Sequence, residues 1–358
     1  MMPPPPPPRK RSKAWLVLLF LGLGMVFVLV LLTSGSLFRA ALSPGKSVSH
    51  KRHYLQEYTI ENNASKNKIA IVEVEGVITS ADNSRKGDNM VEFIRQQLRI
   101  ATRDSHVKAI LLKINSPGGE VLASDEIYNE LADFQEITGK PVVASMQTVA
   151  ASGGYYVAAP CRWIVANELT ITGSIGVILH GFNYRGLMDK IGLRPEVYKS
   201  GEFKDMLSGM RKPEEVPEEE REMVQSLIME TYTKFTNIVE TGRSESYSAT
   251  SKLNEPGRTL EPMWTEFVDG RVLSGRQAYE IGFVDELGNF EVAIERAKIL
   301  AGITNANLIQ YEQPFDLGDL FSLFGTAESR STIKVDLGVD FPRLQPGCLY
   351  FLYRQALP

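Results

Sequence analysis

The chain has 358 residues, of which 43% are apolar and 23% charged, and its formal net charge is −4 at pH 7. This composition is typical of a packed globular protein, and the length allows one large domain with appendages or two domains. Two cysteines are too few for a disulfide framework or a cysteine-rich zinc site, and four histidines leave little material for a metalloenzyme, so we expect no metal and no other cofactor. The acidic balance argues against nucleic acid as a main partner.

The first forty residues predict a membrane anchor. Residues 1–13 form a proline-rich tail with four basic and no acidic side chains, and residues 14–32 are 19 positions without a charge. A helix of that length spans about 28 Å, close to the hydrocarbon thickness of a bilayer. Trp15 lies where an interfacial ring is common, and the basic tail favours the cytoplasmic side for the N-terminus. We expect a single-pass anchor of the cytoplasmic (inner) membrane with the rest of the chain outside; a cleaved signal peptide is the alternative, although its apolar core is usually only about 7–15 residues.

After the anchor, residues 33–66 are polar and aperiodic, which predicts a stalk, and we expect the globular domain at 67–310. Residues 311–358 include several Phe and Leu residues, so this tail is either an arm that contacts a neighbouring subunit or a terminal packing element. Cys161 and Cys348 lie far apart in sequence, and we expect both to be unpaired, with Cys161 as a small apolar core residue.

The globular part alternates between two kinds of segment. Short β-branched runs predict strands at 68–76, 107–114, 141–146, 163–166, 174–179 and 195–198. Apolar residues at helical spacing predict helices at 90–100, 121–134, 152–159 and 217–242, the last one ending at Gly242. Strand-helix alternation of this kind favours an α/β fold with mostly parallel strands.

The segment 115–119 (NSPGG) lies between a predicted strand and a predicted helix. Its paired glycines allow the backbone to approach a ligand closely, and main-chain amides at a helix start can form an oxyanion hole. A simple strand-to-helix turn is the alternative. A phosphate-binding loop is disfavoured because no Gly-Lys-Ser/Thr follows.

Small residues surround Ser152 in the segment 148–156 (TVAASGGYY), at the start of a predicted helix that follows a strand. A nucleophilic serine needs an exposed hydroxyl on a tight turn with a free amide beside it. A helix N-cap with small residues for close packing is the alternative. Ser145 is a poorer candidate because it lies inside the predicted strand.

A serine nucleophile also needs a base. His180 is a weak candidate at the end of a predicted strand, whereas Lys199 and Lys204 lie in the segment 198–208. A buried lysine can lose its proton near neutral pH. Phe203 beside Lys204 offers the better apolar environment, although either lysine could be an ordinary surface residue.

Taken in order, NSPGG, ASGGYY, TGSIGVI (172–178) and SGEFKD resemble the signal peptide peptidase A family. Residues 268–278 and 282–288 are also similar to later segments of that family. These are membrane-anchored serine proteases with the Clp-protease/crotonase fold, built from repeated ββα units, and the resemblance covers roughly residues 67–302. It departs after the lysine, at Ser208-Gly209, and in residues 241–267, which are longer and more polar than usual and suggest a surface insertion.

The resemblance implies a Ser-Lys dyad with Ser152 as nucleophile and Lys204 as general base. It further implies that the Ser174 hydroxyl orients the lysine amine and that Gly119 and Gly153 supply the oxyanion amides. The implied substrates are remnant signal peptides and other hydrophobic peptides, and the implied assembly is a ring-shaped homo-oligomer. Two alternatives remain from the sequence: a crotonase-like acyl-CoA enzyme, which is disfavoured because CoA is absent outside the membrane, and a non-catalytic tethered scaffold, which has no need of Ser152 or Lys204.

Overall fold

The computed structural model describes residues 55–80, 89–251, 256–314 and 350–352. The predicted anchor at 14–32 lies outside these ranges. Within them, no helix combines the length and the apolar character that a membrane crossing requires.

Strands and helices alternate along the described chain. The strands are β1 (Gln56–Glu61), β2 (Lys68–Glu75), β3 (Val107–Ser116), β4 (Gly118–Glu120), β5 (Val142–Ala150), β6 (Trp163–Ala166), β7 (Ile171–Gly173), β8 (Val272–Ser274), β9 (Glu286–Leu287), β10 (Asn307–Glu312) and β11 (Tyr350–Leu352). The helices are α1 (Met90–Arg103), α2 (Val121–Thr138), α3 (Gly153–Ala158), α4 (Arg185–Lys190), α5 (Glu218–Thr250), α6 (Gly275–Ile281) and α7 (Phe290–Leu300), with short 3₁₀ segments at Pro213–Glu215 and Trp264–Phe267.

Most strands join one mixed sheet in the order β1-β10-β2-β3-β5-β6-β9. Neighbours from β10 to β9 are parallel, and β1 joins the edge antiparallel to β10. β7 pairs with the end of β5 and with β8. Helical crossovers produce parallel pairing because they return the chain to the same end of the sheet. The prediction of an α/β fold with mostly parallel strands is therefore confirmed.

Both faces of the central strands are buried, which explains their nearly continuous apolar sequence. In β2, Ala70 and Val72 pack in the large cluster with α1 and α2. Ile69 and Ile71 point to the opposite face, where they pack with residues of α7. Successive side chains alternate between the faces, so one strand contributes to two cores.

Several predicted elements are confirmed and two are wrong. The confirmed strands are β2, β3, β5 and β6, and the confirmed helices are α1, α2 and α3. The strand predicted at 174–179 is wrong because β7 lies just before it and Ser174, with φ 51°, redirects the chain. The strand predicted at 195–198 is also wrong, since these residues are largely exposed and belong to no strand.

The long helix predicted at 217–242 is confirmed as α5, but its predicted end is wrong. A Cβ atom at Gly242 would lie 2.2 Å from the carbonyl oxygen of Ala159, just after α3. Glycine is therefore needed for close packing inside the helix and does not end it. The first ten residues of the expected insertion at 241–267 are helical, and Arg243 among them is fully buried.

The folded unit also extends beyond the predicted boundaries. β1 lies within the predicted stalk at 33–66 and pairs with β10. At the other end, β11 comes from the predicted tail at 311–358 and forms a separate antiparallel pair with β4. Cys161 is a buried free thiol of the core, as expected. Burial raises the pKa of that thiol to about 12.

Candidate active site

Ser152 lies at the sharp turn between β5 and α3. Its φ of 54° and ψ of −115° are rare for a residue with a side chain, and Ser152 is only 1% exposed. Its amide donates to the carbonyl oxygen of Gly173 at 2.8 Å, and its carbonyl oxygen accepts from the amide of Tyr156 at 2.9 Å. Within the described ranges the Ser152 hydroxyl has no hydrogen-bond partner. Backbone strain of this kind is concentrated at functional sites.

Gly119 lies in β4, where neighbouring segments fix the backbone on one side. The Ile78 amide donates to the carbonyl oxygen of Gly118 at 2.9 Å, and the Glu120 amide donates to the carbonyl oxygen of Ile78 at 2.8 Å. The Ser116 hydroxyl accepts from the Gly118 amide at 3.1 Å. Ser116 therefore builds this turn, and the loop is held rigidly by main-chain hydrogen bonds.

The backbones of Gly119 and Gly153 approach each other next to Ser152. A Cβ atom at Gly153 would lie 3.1 Å from the Gly119 nitrogen and 2.7 Å from Ser124 Oγ. At Gly119, a Cβ atom would lie 1.9 Å from the Ile78 carbonyl oxygen. Gly153 is the first residue of α3, and its amide has no hydrogen-bond partner in the described parts of the chain. Two backbone nitrogens on adjacent loops are the components of a two-donor anion site.

Ser174 lies close to Ser152 because a backbone hydrogen bond joins Ser152 to the residue just before Ser174. It follows Gly173, the residue that accepts the hydrogen bond from the Ser152 amide. Ser174 is 7% exposed and has φ 51°, and its amide donates to the carbonyl oxygen of Arg271 at 2.7 Å. The structure thus assembles four of the five predicted site residues, Ser152, Ser174, Gly119 and Gly153, in one place.

Lys204 is not part of this cluster in the single chain. Its side chain is exposed and, among the described residues, forms no hydrogen bond or ion pair. The alternative, Lys199, is engaged: its Nζ donates to Asp205 Oδ1 and to the Glu202 carbonyl oxygen, both at 2.8 Å. The expected apolar burial of Lys204 is therefore absent from the isolated protomer.

The segment that carries Lys204 is attached to the start of α5. Glu220, which is buried, accepts from the Leu207 amide at 3.1 Å and forms an ion pair with Arg211. Leu207 has φ 63°, so the chain turns sharply at this contact. The position of the segment therefore depends on where α5 lies.

Glu120 is a site residue that the sequence analysis missed. Its carboxylate accepts from the Thr79 hydroxyl at 2.8 Å, the Ser80 amide at 2.8 Å and the Ser80 hydroxyl at 2.6 Å. Burial acts to raise the pKa of this carboxyl, but the hydrogen bonds from Ser80 and Thr79 outweigh it and hold the pKa below the ordinary value. In the sequence, the only indication of this role was the position of an acidic residue directly after the glycine pair.

Comparison with known proteins decides the family. The sequence profile described as Peptidase family S49 matches residues 135–304, and the profile described as Clp protease matches residues 66–162. A candidate signal peptide peptidase SppA of Enterococcus faecium is 38% identical over 262 residues, which cover 72% of this chain and 71% of that protein. The chain belongs to the signal peptide peptidase A family of S49 peptidases.

Other relatives agree with this assignment. A candidate protease of Synechocystis sp. is 40% identical over 240 residues, covering 67% of this chain and 76% of that protein. Protease 4 of Haemophilus influenzae is 32% identical over 261 residues, covering 72% of this chain and 38% of that protein. This S49 family member is therefore a serine-type peptidase with a Clp-protease-like α/β fold.

Proposed function

We propose that the chain is a membrane-anchored serine endopeptidase with a Ser152–Lys204 dyad. It degrades remnant signal peptides and other hydrophobic peptides at the outer face of the cytoplasmic membrane. The observation that carries this proposal is the strained backbone of Ser152 at the start of α3, beside the close approach of Gly119 and Gly153.

In the proposed mechanism, the Ser152 hydroxyl attacks the carbonyl carbon of the bound peptide. The amides of Gly119 and Gly153 donate to the oxyanion that forms. Loss of one such donor typically lowers kcat by on the order of 10²–10³. A neutral Lys204 amine accepts the hydroxyl proton and delivers it to the leaving amine. Ser174, fixed one residue from the carbonyl that binds the Ser152 amide, orients the lysine amine.

Because the Lys204 side chain is exposed in the single chain, we propose that it is buried in a ring-shaped homo-oligomer. The surrounding segment presents unusually large apolar side chains to solvent, including Phe182 at 88% and Tyr198 at 92% exposure. Patches of this kind mark interaction surfaces in soluble domains. Burial of this patch between copies would remove water from Lys204 and bring a lysine amine to each Ser152.

Two observations support a membrane location and hydrophobic substrates. The uncharged run at 14–32 follows a basic tail, which favours an anchor with the peptidase domain outside. The relative from Enterococcus faecium is itself named as a candidate signal peptide peptidase. A tethered peptidase near the bilayer is well placed to receive apolar fragments released from it.

The decisive test labels the full chain, purified in detergent, with a serine-reactive acylating probe and identifies the labelled residue by mass spectrometry. We expect acylation of Ser152, and we expect it to be lost in Ser152→Ala and strongly reduced in Lys204→Ala. Ser145→Ala is the matched control because Ser145 lies in β5. A second arm compares cleavage of a synthetic signal peptide with that of a polar peptide of equal length. Undiminished acylation and peptide cleavage in Ser152→Ala would overturn the assignment.

A further inference from the structure

Glu120 directly precedes α2, yet its side chain does not cap that helix. A polar side chain at the N-cap position ordinarily accepts a hydrogen bond from the second or third amide of its own helix. Here the carboxylate instead binds the segment after β2, where it accepts hydrogen bonds from Thr79 and Ser80. The residue is only 8% exposed. Its side chain therefore serves this contact and not the start of α2.

Both carboxylate oxygens of Glu120 take part in this contact. Oε1 accepts from the Thr79 hydroxyl at 2.8 Å, and Oε2 accepts from the amide and the hydroxyl of Ser80 at 2.8 and 2.6 Å. Hydrogen bonds to an ionised carboxylate are short and stronger than those between neutral groups. We call Glu120, Thr79 and Ser80 the carboxylate clamp.

The carboxylate clamp lies beside two main-chain hydrogen bonds that bracket Gly119. The Ile78 amide donates to the Gly118 carbonyl oxygen, and the Glu120 amide donates to the Ile78 carbonyl oxygen. Successive residues of a strand direct their main-chain groups to opposite edges, so the Gly119 amide faces away from Ile78. The Gly119 nitrogen lies 3.1 Å from a Cβ atom built on Gly153. The edge away from Ile78 is therefore the one at which the proposed oxyanion donors meet.

Glu120 is also connected to the second glycine segment, through Ser124. The Ser124 hydroxyl donates to the Glu120 carbonyl oxygen at 2.9 Å, and its Oγ would lie 2.7 Å from a Cβ atom on Gly153. Thr79 and Ser80 directly follow Ile78, so the clamp holds the same segment that binds the backbone on either side of Gly119. Loss of the carboxylate would remove three hydrogen bonds from this segment and let the Gly119 amide change direction.

We propose that Glu120 is a positioning residue of the Ser152 site: its carboxylate holds residues 78–80 against β4 and thereby directs the Gly119 amide at the oxyanion. This inference rests on the proposed peptidase function. Glu120 acts through Gly119 and takes no part in proton transfer. An oxyanion donor stabilises the transition state more than the bound substrate, so loss of the clamp should lower kcat and change KM little.

The first test measures hydrolysis of a hydrophobic peptide by the full-length chain, with kcat normalised to the folded fraction from a urea titration. We expect Glu120→Ala to lower kcat by on the order of 10²-fold, because a small misplacement of a catalytic group has an effect of that size. In Glu120→Gln, the side-chain carbonyl can still accept from Ser80 and the amide can donate to the Thr79 hydroxyl, so kcat should lie between those of Glu120→Ala and wild type. Glu136→Gln, at an exposed position of α2, is the control and should keep the wild-type kcat.

A peptide boronate provides a measurement that a purely structural role of Glu120 would not change. Its boron accepts a lone pair from Ser152 Oγ while the hydroxyl proton passes to the base, and an oxygen of the tetrahedral adduct then takes the place of the oxyanion. We expect Glu120→Ala to weaken boronate binding by about the same factor as it lowers kcat. Binding of the same peptide with a carboxamide in place of the boronate should stay unchanged. A loss of kcat without a loss of boronate affinity would overturn the inference.

A double-mutant cycle tests the carboxylate clamp itself. Ser80→Ala removes one hydrogen-bond donor and should lower kcat severalfold in the wild-type chain, but it should have no further effect in Glu120→Ala, where the acceptor is already gone. Additive losses, or an unchanged kcat in Glu120→Ala, would overturn this inference while leaving the peptidase assignment intact. If the wild-type chain neither cleaves a signal peptide nor is acylated at Ser152, the peptidase assignment itself is wrong.

Discussion

The amide of Ser152 donates a 2.8 Å hydrogen bond to the carbonyl oxygen of Gly173, which directly precedes Ser174. One backbone contact therefore fixes the spacing between the proposed nucleophile and the proposed lysine-orienting serine. Neither residue depends on a long flexible side chain for its position, so the site is preorganised on rigid segments.

Gly119 is expected to tolerate no side chain. In Gly119→Ala the new Cβ atom would meet the Ile78 carbonyl oxygen at 1.9 Å, so the loop must move and its amide with it. We expect peptide hydrolysis to fall by on the order of 10²-fold or more, measured as kcat with a saturating hydrophobic peptide. The control is Gly186→Ala in α4, where a Cβ atom would enter open space. Near-normal activity in Gly119→Ala would show that this amide is not a catalytic donor.

The buried ion pair between Arg243 and Asp285 is expected to contribute strongly to stability. Both side chains are fully buried with 2.6 Å between Arg243 Nη1 and Asp285 Oδ2, and Arg243 also donates to the Cys161 carbonyl oxygen. Arg243→Met leaves the Asp285 carboxylate buried without its cation, which typically costs about 3–5 kcal/mol in the free energy of unfolding. Urea titration of the full chain provides the measurement. Arg271→Met, which breaks an exposed pair with Asp269, should change nothing measurable, and an equally small effect at Arg243 would contradict the prediction.

Stability is expected to depend on the charge of Glu120 at acid pH. The pKa of this carboxyl is lowered from its ordinary 4.5 in the folded protein, so its hydrogen bonds stabilise the fold fully above that value and are lost as pH falls through the lower, folded pKa. The difference in free energy of unfolding between wild type and Glu120→Gln should be largest near pH 7 and shrink below about pH 4.5. Glu136→Gln, at an exposed position near the end of α2, is the control, and the stability difference that it causes should not change in this way with pH. If the difference in free energy of unfolding between wild type and Glu120→Gln stays constant from pH 7 to pH 3, the predicted role of the Glu120 charge is wrong.

The apolar surface around Phe182 and Tyr198 is expected to hold the proposed homo-oligomer together. A charge at either position, in Phe182→Asp or Tyr198→Asp, would have to be desolvated on association, so we expect smaller particles in sedimentation and loss of peptide hydrolysis. Ile137→Asp, at a comparably exposed position on α2, is the control and should assemble normally. If Phe182→Asp and Tyr198→Asp remain assembled and active, the proposed subunit surface is wrong.

The turn at Ser152 could be predicted from the sequence because the residues that form it are neighbours in the chain. Small residues around Ser152, between a β-branched run and a helical one, specify a tight strand-to-helix connection wherever they occur. The α/β fold class could also be predicted from local patterns, because strand-like and helix-like segments alternate along the chain. The strands at 174–179 and 195–198 were mispredicted because short apolar runs carry no information about the presence of a neighbouring strand.

Contacts between residues far apart in the chain could not be predicted from local sequence patterns. Gly242 has the local signature of a helix end, yet the nearby Ala159 carbonyl makes it an interior packing residue. Likewise Phe351 pairs with Gly119, more than two hundred positions earlier in the chain, and no periodicity reports such a contact. The apolar setting expected for Lys204 from Phe203 is absent in the single chain, because neighbours in sequence do not by themselves bury a side chain on an open segment.

The contact between Gly242 and Ala159 gives α5 a geometric role beyond packing. It lies close behind α3, which begins directly after Ser152, whereas Glu220 near the other end of α5 holds the segment that carries Lys204. The two contacts are about 33 Å apart along the helix axis. A tilt of about 5° around the Gly242 contact would therefore displace the Glu220 end by about 3 Å, and with it the segment that carries Lys204. A long helix that pivots on one position without a side chain would work as a lever that sets where the segment of the proposed base, Lys204, lies relative to α3.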